Sequence, residues 1–309
     1  MRCNLITDLD NDVGLATDRE LLGDFLRDLW HEVTEVDWRS NVEPMEPADV
    51  NFFVEKFNPK WLRRARHNIG IFNLEWFSSD WMIYLHDLTQ IWTKSAGAHE
   101  WFMDHGCDNA HFTGFLSRNP FRYDVYKQHA ALHIAGRSNA KGTQAVLRAY
   151  WDAHAAGVRL PILAIVSKLP IWPLPPRVAR FDWMARLGLD AVIGHHRFHL
   201  CPSEVEGWGH YITEATACGC IVITTDASPM NEHVLPTFGR LLQPRLTAET
   251  VFGRRWAVEP QAIVAALQEL SSLSDDTLDV MGTKARDWNH QRNRSFTATA
   301  TALLNKLRG

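Results

Sequence analysis

The sequence predicts an α/β protein built from two successive doubly wound, Rossmann-like halves. Three observations predict it. Apolar runs of strand length alternate with helix-spaced segments from the first residues onward. The alternation breaks at the polar, proline-containing stretch "SRNPFRYDVYKQ" (117–128) and then starts again. Motifs rich in glycine and charge lie directly after strand-like runs, where open sheets of this kind bind ligands. The expected domains are 1–122 and 123–309, facing each other across a cleft.

In the first half, "CNLITDL" (3–9) is a strand and "DNDVGLATD" a glycine-containing loop. "RELLGDFLRDLW" carries Leu21, Leu22, Phe25, Leu26 and Leu29 at helical spacing. "HEVTEVDW", "DVNFFVEKF" (49–57) and "NIGIFNLEWF" are further strands, the last preceded by "NPKWLRRAR". "QIWTKS" (90–95), the helix-like "AGAHEWFMDHG" and "NAHFTGF" complete the half.

The second half begins with the strand "ALHIAG" (131–136) and a helix through "AKGTQAVLRAYWDAHAAG", ending at Gly157. "PILAIVS" and "RVARFDW" are strands, "ARLGLDAVIGHH" a helix, "RFHLCPS" a strand, "HYITEATACG" a helix and "IVITTDA" a strand. In "PQAIVAALQELSSL", Ile263, Ala266, Leu267 and Leu270 share one helical face. Ser274, followed by two aspartates, starts the last helix.

A length of 309 residues allows two domains with real cores, and 46% hydrophobic with 22% charged residues is a globular balance. A net charge of −4 excludes a global pull on nucleic acid, so any anionic ligand must be held by local cations. The N-terminus lacks the basic region and long apolar core of a secretory leader, and no run reaches the length of a membrane span. Five cysteines without a C-x-x-C pair read as reduced thiols, which points to the cytoplasm. Most of the 13 tryptophans are expected in packing, with a few available to stack on sugar rings.

Two segments carry the chemistry. In "IAGRSNAKG", Arg137 and Lys141 stand between a strand and a helix N-terminus, where fixed cations, unpaired N–H groups and the helix dipole suit a diphosphate. The same pair also fits a solvated loop. In "CPSEVEGWGHYITEATACGC" (201–220), Gly207 and Gly209 permit close backbone approach at the start of a helix near His210. Glu206 sits in that turn, where a carboxylate must face something neutral and hydroxyl-rich. Glu214, further along the helix, suits the two hydroxyls of a ribose. The alternative is a surface glutamate beside an ordinary helix start.

At these residues the chain resembles the retaining, metal-independent glycosyltransferases of the GT-B fold, in particular the large family 4 group. That group's E-x7-E motif appears as "PSEVEGWGHYITEATACGCIVITTD", with Trp208 for the usual Phe, and its donor-phosphate motif as "GRSNAKG". The resemblance covers residues 130 to 235. It implies that Glu206 contacts the donor sugar, that Glu214 holds the ribose, and that Arg137 and Lys141 bind the diphosphate and stabilise the leaving charge in place of a metal. Main-chain groups of Gly209, His210 and Tyr211 would complete the cradle, with the nucleobase near Phe181 or Trp183. Gly14 matches the glycine of the N-terminal phosphate loop, and equally a plain turn. Retention would follow from front-face attack, the donor phosphate taking the acceptor proton.

The implied partners are a nucleotide sugar, as substrate rather than cofactor, and a hydroxyl acceptor. The other readings are an epimerase or phosphorylase of the same fold, or a non-catalytic scaffold subunit. His86 is a candidate for the group's histidine and also fits an ordinary loop. "DLDND" (8–12) contains D-x-D, and "HHRFH" holds His195, His196 and His199, but neither context suits a metal site. "NPKWLRRARHN" (58–68) sets Lys60, Arg63, Arg64 and Arg66 beside Trp61, either a solvated basic helix or a peripheral membrane contact.

Overall fold

The computed structural model describes residues 1–11, 14–42, 47–121 and 126–308. They form two compact units, Met1–Leu116 with Gln291–Gly309, and Ser117–His290. The chain has the α/β architecture expected of GT-B proteins, with one six-stranded parallel sheet in each unit.

In the first unit, β1 (Arg2–Thr7), β2 (Glu32–Asp37), β3 (Ala48–Val54), β4 (Ala65–Ile71), β5 (Gln90–Thr93) and β6 (Ala110–Phe112) lie in the order β2-β1-β3-β4-β5-β6. β3 is apolar on both faces because helices cover a parallel sheet from both sides. Its fully buried polar residue, Asn51, is satisfied laterally. Asn51 accepts from Asn4 Nδ2 at 2.9 Å and donates to Trp61 O at 2.6 Å and Asn68 Oδ1 at 3.0 Å. Helices α1 (Gly14–Asp28) and α2 (Ala96–Asp104) connect the strands, α2 starting where Ser95 Oγ accepts from Ala98 N at 3.1 Å.

The second unit holds β7 (Gln128–Gly136), α3 (Thr143–Ala155), β8 (Leu163–Ser167), β9 (Val178–Asp182), α4 (Arg186–His195), β10 (His196–Cys201), α5 (His210–Ala217), β11 (Ile221–Thr225) and β12 (Gly239–Leu242). An antiparallel hairpin, β13 (Pro244–Thr250) and β14 (Gly253–Val258), precedes α6 (Pro260–Ser271) and α7 (Asp275–Lys306). The sheet order is β12-β11-β10-β7-β8-β9. The chain leaves β7 toward β9 and returns at β10 to build the other side. The loops after β7 and β10 therefore flank the switch point, where such sheets open a crevice at their carboxyl ends.

Several expectations change. The loop expected over "DNDVGLATD" is already helical from Gly14, and Asp12 and Val13 lie outside the described residues. The strand in "NIGIFNLEWF" stops at Ile71, and the expected helix around "NPKWLRRAR" is a 3₁₀ turn, Pro59–Arg64, capped by Asn58. The domain boundary at 122/123 falls on residues outside those described, and the second domain does not run to 309. The end of α7 packs with the first unit because Phe296 is fully buried there. It meets Phe25 at 5.2 Å, Phe115 at 5.5 Å and Trp92 at 6.3 Å between ring centroids. β12 and the hairpin were not foreseen.

One close approach joins the two switch-point loops. Gly142 has φ +67°, and a Cβ there would lie 2.0 Å from Pro202 O. Gly142→Ala should therefore lower unfolding stability by roughly 2–4 kcal/mol, from left-handed strain plus a backbone clash. Urea denaturation monitored by tryptophan fluorescence measures it.

Candidate functional site

The site is assembled at the switch point of the second sheet. After β7, Ser138 Oγ accepts from Ala140 N at 3.2 Å and starts a 3₁₀ turn, Asn139–Lys141, which Gly142 ends in the left-handed region. After β10, the next loop is anchored from the neighbouring strand. Thr224 Oγ1 donates to Cys201 O at 2.8 Å and Thr225 Oγ1 to Ser203 O at 2.6 Å. Glu204 N donates to Ala140 O at 2.8 Å, so the two loops are stitched by backbone as well as by contact.

These bonds bring Lys141 and Glu206 together across 65 positions, with Nζ 2.5 Å from Oε1. The same carboxylate oxygen accepts from Ser203 Oγ at 2.5 Å, and that hydroxyl also bonds Tyr211 OH at 2.5 Å. Lys141 Nζ lies 4.0 Å from the centroid of the buried Tyr211 ring, so it rests on a π face while paired. The side chains of Lys141 and Glu206 retain 21% and 12% exposure, which leaves the pair reachable by a ligand. Arg137 is exposed at the mouth of the same loop.

Gly209 caps α5 with φ 94°, a conformation that suits glycine, and its carbonyl accepts from Ile212 N at 2.9 Å and Thr213 N at 3.2 Å. The turn residues Gly207, Trp208 and Gly209 and the helix start at His210 and Tyr211 thus follow Glu206 directly. Trp208 is buried. Its carbonyl accepts from His233 Nε2 at 2.6 Å, and the two rings meet edge-on at 4.4 Å.

Glu214 is on α5 and buried, and Arg186 at the start of α4 is ion-paired with it. Arg186 Nε also approaches Asp190 Oδ1 at 2.8 Å, and Arg118 Nη2 lies 3.8 Å from that residue's other oxygen. The sequence reading missed Arg186. An i,i+4 arginine–aspartate pair on a helix is unremarkable alone, and its partner lies 28 positions away. It also missed the hairpin's share, where Trp256 N donates to Glu204 O at 2.9 Å and Arg255 Nε approaches Glu204 Oε2 at 3.3 Å.

Phe181 and Trp183 are exposed, Phe181 on the edge strand β9, separated from β7 by β8. Lys168 Nζ lies 5.0 Å from the Trp183 ring. Gly14 belongs to the first unit, at the exposed start of α1. His86 is exposed in a 3₁₀ segment, Ser79–Asp87. Trp61 is buried, so it is no membrane anchor, and Lys60 Nζ donates to Asn41 Oδ1 at 3.2 Å.

His195, His196 and His199 do not converge. Each ring hydrogen-bonds a different backbone carbonyl, those of Tyr126, Val192 and Ile193. Among the described residues, Asp8, Asp10 and Asp37 have carboxylates within 4.8 Å of one another. The Arg39 guanidinium is ion-paired with all three and offsets part of their charge. Asp12 lies outside the described residues.

Residues 184–288 match the family model described as Glycosyl transferases group 1. No curated protein matches the sequence. Several solved structures share the fold at low identity. Anabaena HepE, in complex with UDP and glucose, aligns with TM-score 0.68 and 13% identity over 99% of this chain and 100% of that one. Sucrose-phosphate synthase from Thermosynechococcus elongatus gives 0.71 and 13% over 99% of each. A glycosyltransferase from Rickettsia africae gives 0.68 and 12% over 99% of this chain and 98% of that one.

Two predictions follow from these contacts. Arg186→Met should cost about 3–5 kcal/mol, because it strands a buried carboxylate, with Arg186→Lys intermediate. Thermal and urea unfolding of the three proteins checks it. Burial pushes the pKa of His133, His196 and His199 down to about 4. The unfolded chain, with imidazoles near 6.5, therefore binds more protons, and stability should fall as pH drops from about 6.5 to 4. His133→Gln should flatten that slope in urea midpoints measured across the same range.

Proposed function

We propose that this chain is a glycosyltransferase that moves a sugar from a nucleoside diphosphate sugar to a hydroxyl acceptor, with retention and without a metal. The observation that carries the reading is the meeting of Lys141 and Glu206 at the switch point of the second sheet, on loops in backbone contact. The family match over 184–288, which spans Glu206 and Glu214, supports the same reading.

In this proposal the donor diphosphate takes Lys141 from Glu206. The lysine turns to phosphate oxygens beside Arg137, and the N–H groups at the start of α5 add hydrogen bonds and dipole. Glu206, still held by Ser203, is then free to accept hydrogen bonds from the donor sugar. Glu214 accepts from the ribose, its carboxylate oriented by Arg186. The nucleobase lies toward Phe181 and Trp183.

The anomeric C–O bond to the diphosphate breaks, and its electron pair leaves with the nucleoside diphosphate. The acceptor oxygen bonds the same face of that carbon and gives its proton to the departing phosphate. Arg137 and Lys141 stabilise the charge that develops there, the role a metal plays in other transferases. No cofactor enters this scheme.

A peripheral membrane contact through Lys60, Arg63, Arg64 and Arg66 belongs to the same proposal, now without Trp61 as an anchor. Cytoplasmic location is likewise proposed, and no helix among the described residues is long and apolar enough to cross a membrane.

The test is a thermal-shift screen against UDP-, GDP-, ADP- and dTDP-linked sugars. UDP comes first because the related fold of Anabaena HepE holds UDP and glucose. A bound donor should raise Tm by several degrees at saturating concentration. Glu206→Gln should retain nucleoside diphosphate binding and lose at least about a hundredfold in transfer rate. No shift with any donor, or full transfer by Glu206→Gln, sinks the reading. Nucleotide release with the sugar epimerised or phosphorolysed would identify the other enzyme classes.

A further inference from the structure

Lys168 is the first residue past β8, between the loop after β7 and the exposed aromatics of β9. Its backbone N donates to Gly136 O at 2.7 Å, directly before Arg137, and Ser167 Oγ donates to the same carbonyl at 3.2 Å. Main chain therefore fixes where the lysine starts, beside the loop that carries Arg137 and Lys141. The β8–β9 register ends with Ser167 opposite Asp182, so Lys168 and Trp183 are the next residues along two adjacent strands. Lys168 Nζ lies 5.0 Å from the Trp183 ring centroid.

Trp183 and Phe181 keep 38% and 49% of their surface exposed, two aromatic side chains at the end of an edge strand. An ammonium on an exposed indole stabilises a fold only slightly, so packing gives little reason for the arrangement. Asp182, between the two aromatics, has its own cation: Arg180 Nη2 lies 2.7 Å from Oδ1, and Arg180 Nε donates to Leu169 O at 3.1 Å. On the far side, Arg186 follows Trp183 by three positions and is ion-paired with Glu214. The indole is thus tied within one unit both to the loop of Arg137 and to the carboxylate proposed for the ribose. β9 stands two strand spacings from β7, roughly 10 Å. A nucleoside covers such a distance between its phosphate and its base.

We propose that Trp183 stacks the donor's base and that Lys168 reads the base's edge. The lysine selects a base with a ring carbonyl (uracil, thymine or guanine) over cytosine or adenine. Stacking accepts any base, so Trp183 supplies affinity without choice. A lysine ammonium donates three hydrogen bonds and accepts none. Uracil and thymine O4 and guanine O6 are acceptors, whereas cytosine and adenine carry an amino donor at the corresponding ring position. Donor set against donor leaves both groups unpaired. As the base settles on the indole, the ammonium moves from the ring face to the base edge. The inference rests on the donor reading above and names the class of nucleotide which that site takes.

Isothermal titration calorimetry with UDP against CDP, and inosine diphosphate against ADP, measures this choice. Each pair keeps ring size and diphosphate and exchanges a carbonyl for an amino group, so attraction to phosphate cancels in the ratio. In the pair it binds more tightly, wild type should favour the carbonyl member at least about fivefold. Lys168→Met should bring that ratio to within about twofold of unity, and Lys168→Glu should reverse it, because a carboxylate accepts from the amino group. Trp183→Ala should weaken both members at least about fivefold and keep their ratio. The substituted side chains are all partly exposed, so each variant should keep the wild-type Tm. A wild-type ratio near unity, or one unchanged in Lys168→Met, overturns the assignment of Lys168 and leaves the donor reading standing. Full affinity in Trp183→Ala removes the stacking platform. A wild type that binds none of the four nucleotides, and no donor in the thermal-shift screen, removes the donor reading as well.

Discussion

The second unit depends on a place where there is no room for a side chain. Gly142 lies against the Pro202 carbonyl so closely that only a bare Cα fits. That contact presses the loop after β7 against the loop after β10, and the Glu204-to-Ala140 backbone bond locks them. The ends of both loops are then determined. Lys141 has Glu206 and Tyr211 within reach, and α5 starts at Gly209 with its first turn beside them. A parallel sheet supplies the crevice, and one glycine decides how tightly its two walls close.

Charge is distributed by a common rule in both units. Each buried or half-buried carboxylate of interest has a cation from a distant element: Lys141 for Glu206, Arg186 for Glu214, Lys94 for Asp18. Taking an unpaired carboxylate out of water costs several kcal/mol, so the partners are a condition of burial. The pairs differ in exposure, and exposure separates their uses. Lys94 and Asp18 are sealed and serve as an electrostatic floor. Lys141 and Glu206 keep part of their surface in solvent.

Much of the second unit was legible in the sequence. Ile263, Ala266, Leu267 and Leu270 are the buried residues of α6, as a 3.6-residue period requires. Glycine punctuation gave the start of α5 at His210, since Gly209 adopts a left-handed cap. Less regular pieces escaped. The hairpin β13–β14 is mostly exposed and has a register shift between Leu246 and Ala248, so its strands show no apolar alternation. The helix at Gly14 was read as a loop because glycine and acids stand at its start, while Leu15, Leu22 and Leu26 bury its inner face.

Local spacing by itself determined which residues stand after which strand, and so that Arg137, Lys141 and Glu206 belong to loops at the carboxyl end of a sheet and Glu214 to the helix that follows. Residues a few positions apart share one element, and the element's geometry carries them. Tertiary structure alone decided the pairings: Arg186 with Glu214 across 28 positions, Lys141 with Glu206 across 65, Lys94 with Asp18 across 76. It also set the end of α7 on the first unit through Phe296. Sequence spacing cannot encode such contacts, because they arise only when sheet order and helix packing have brought distant segments within a few ångströms.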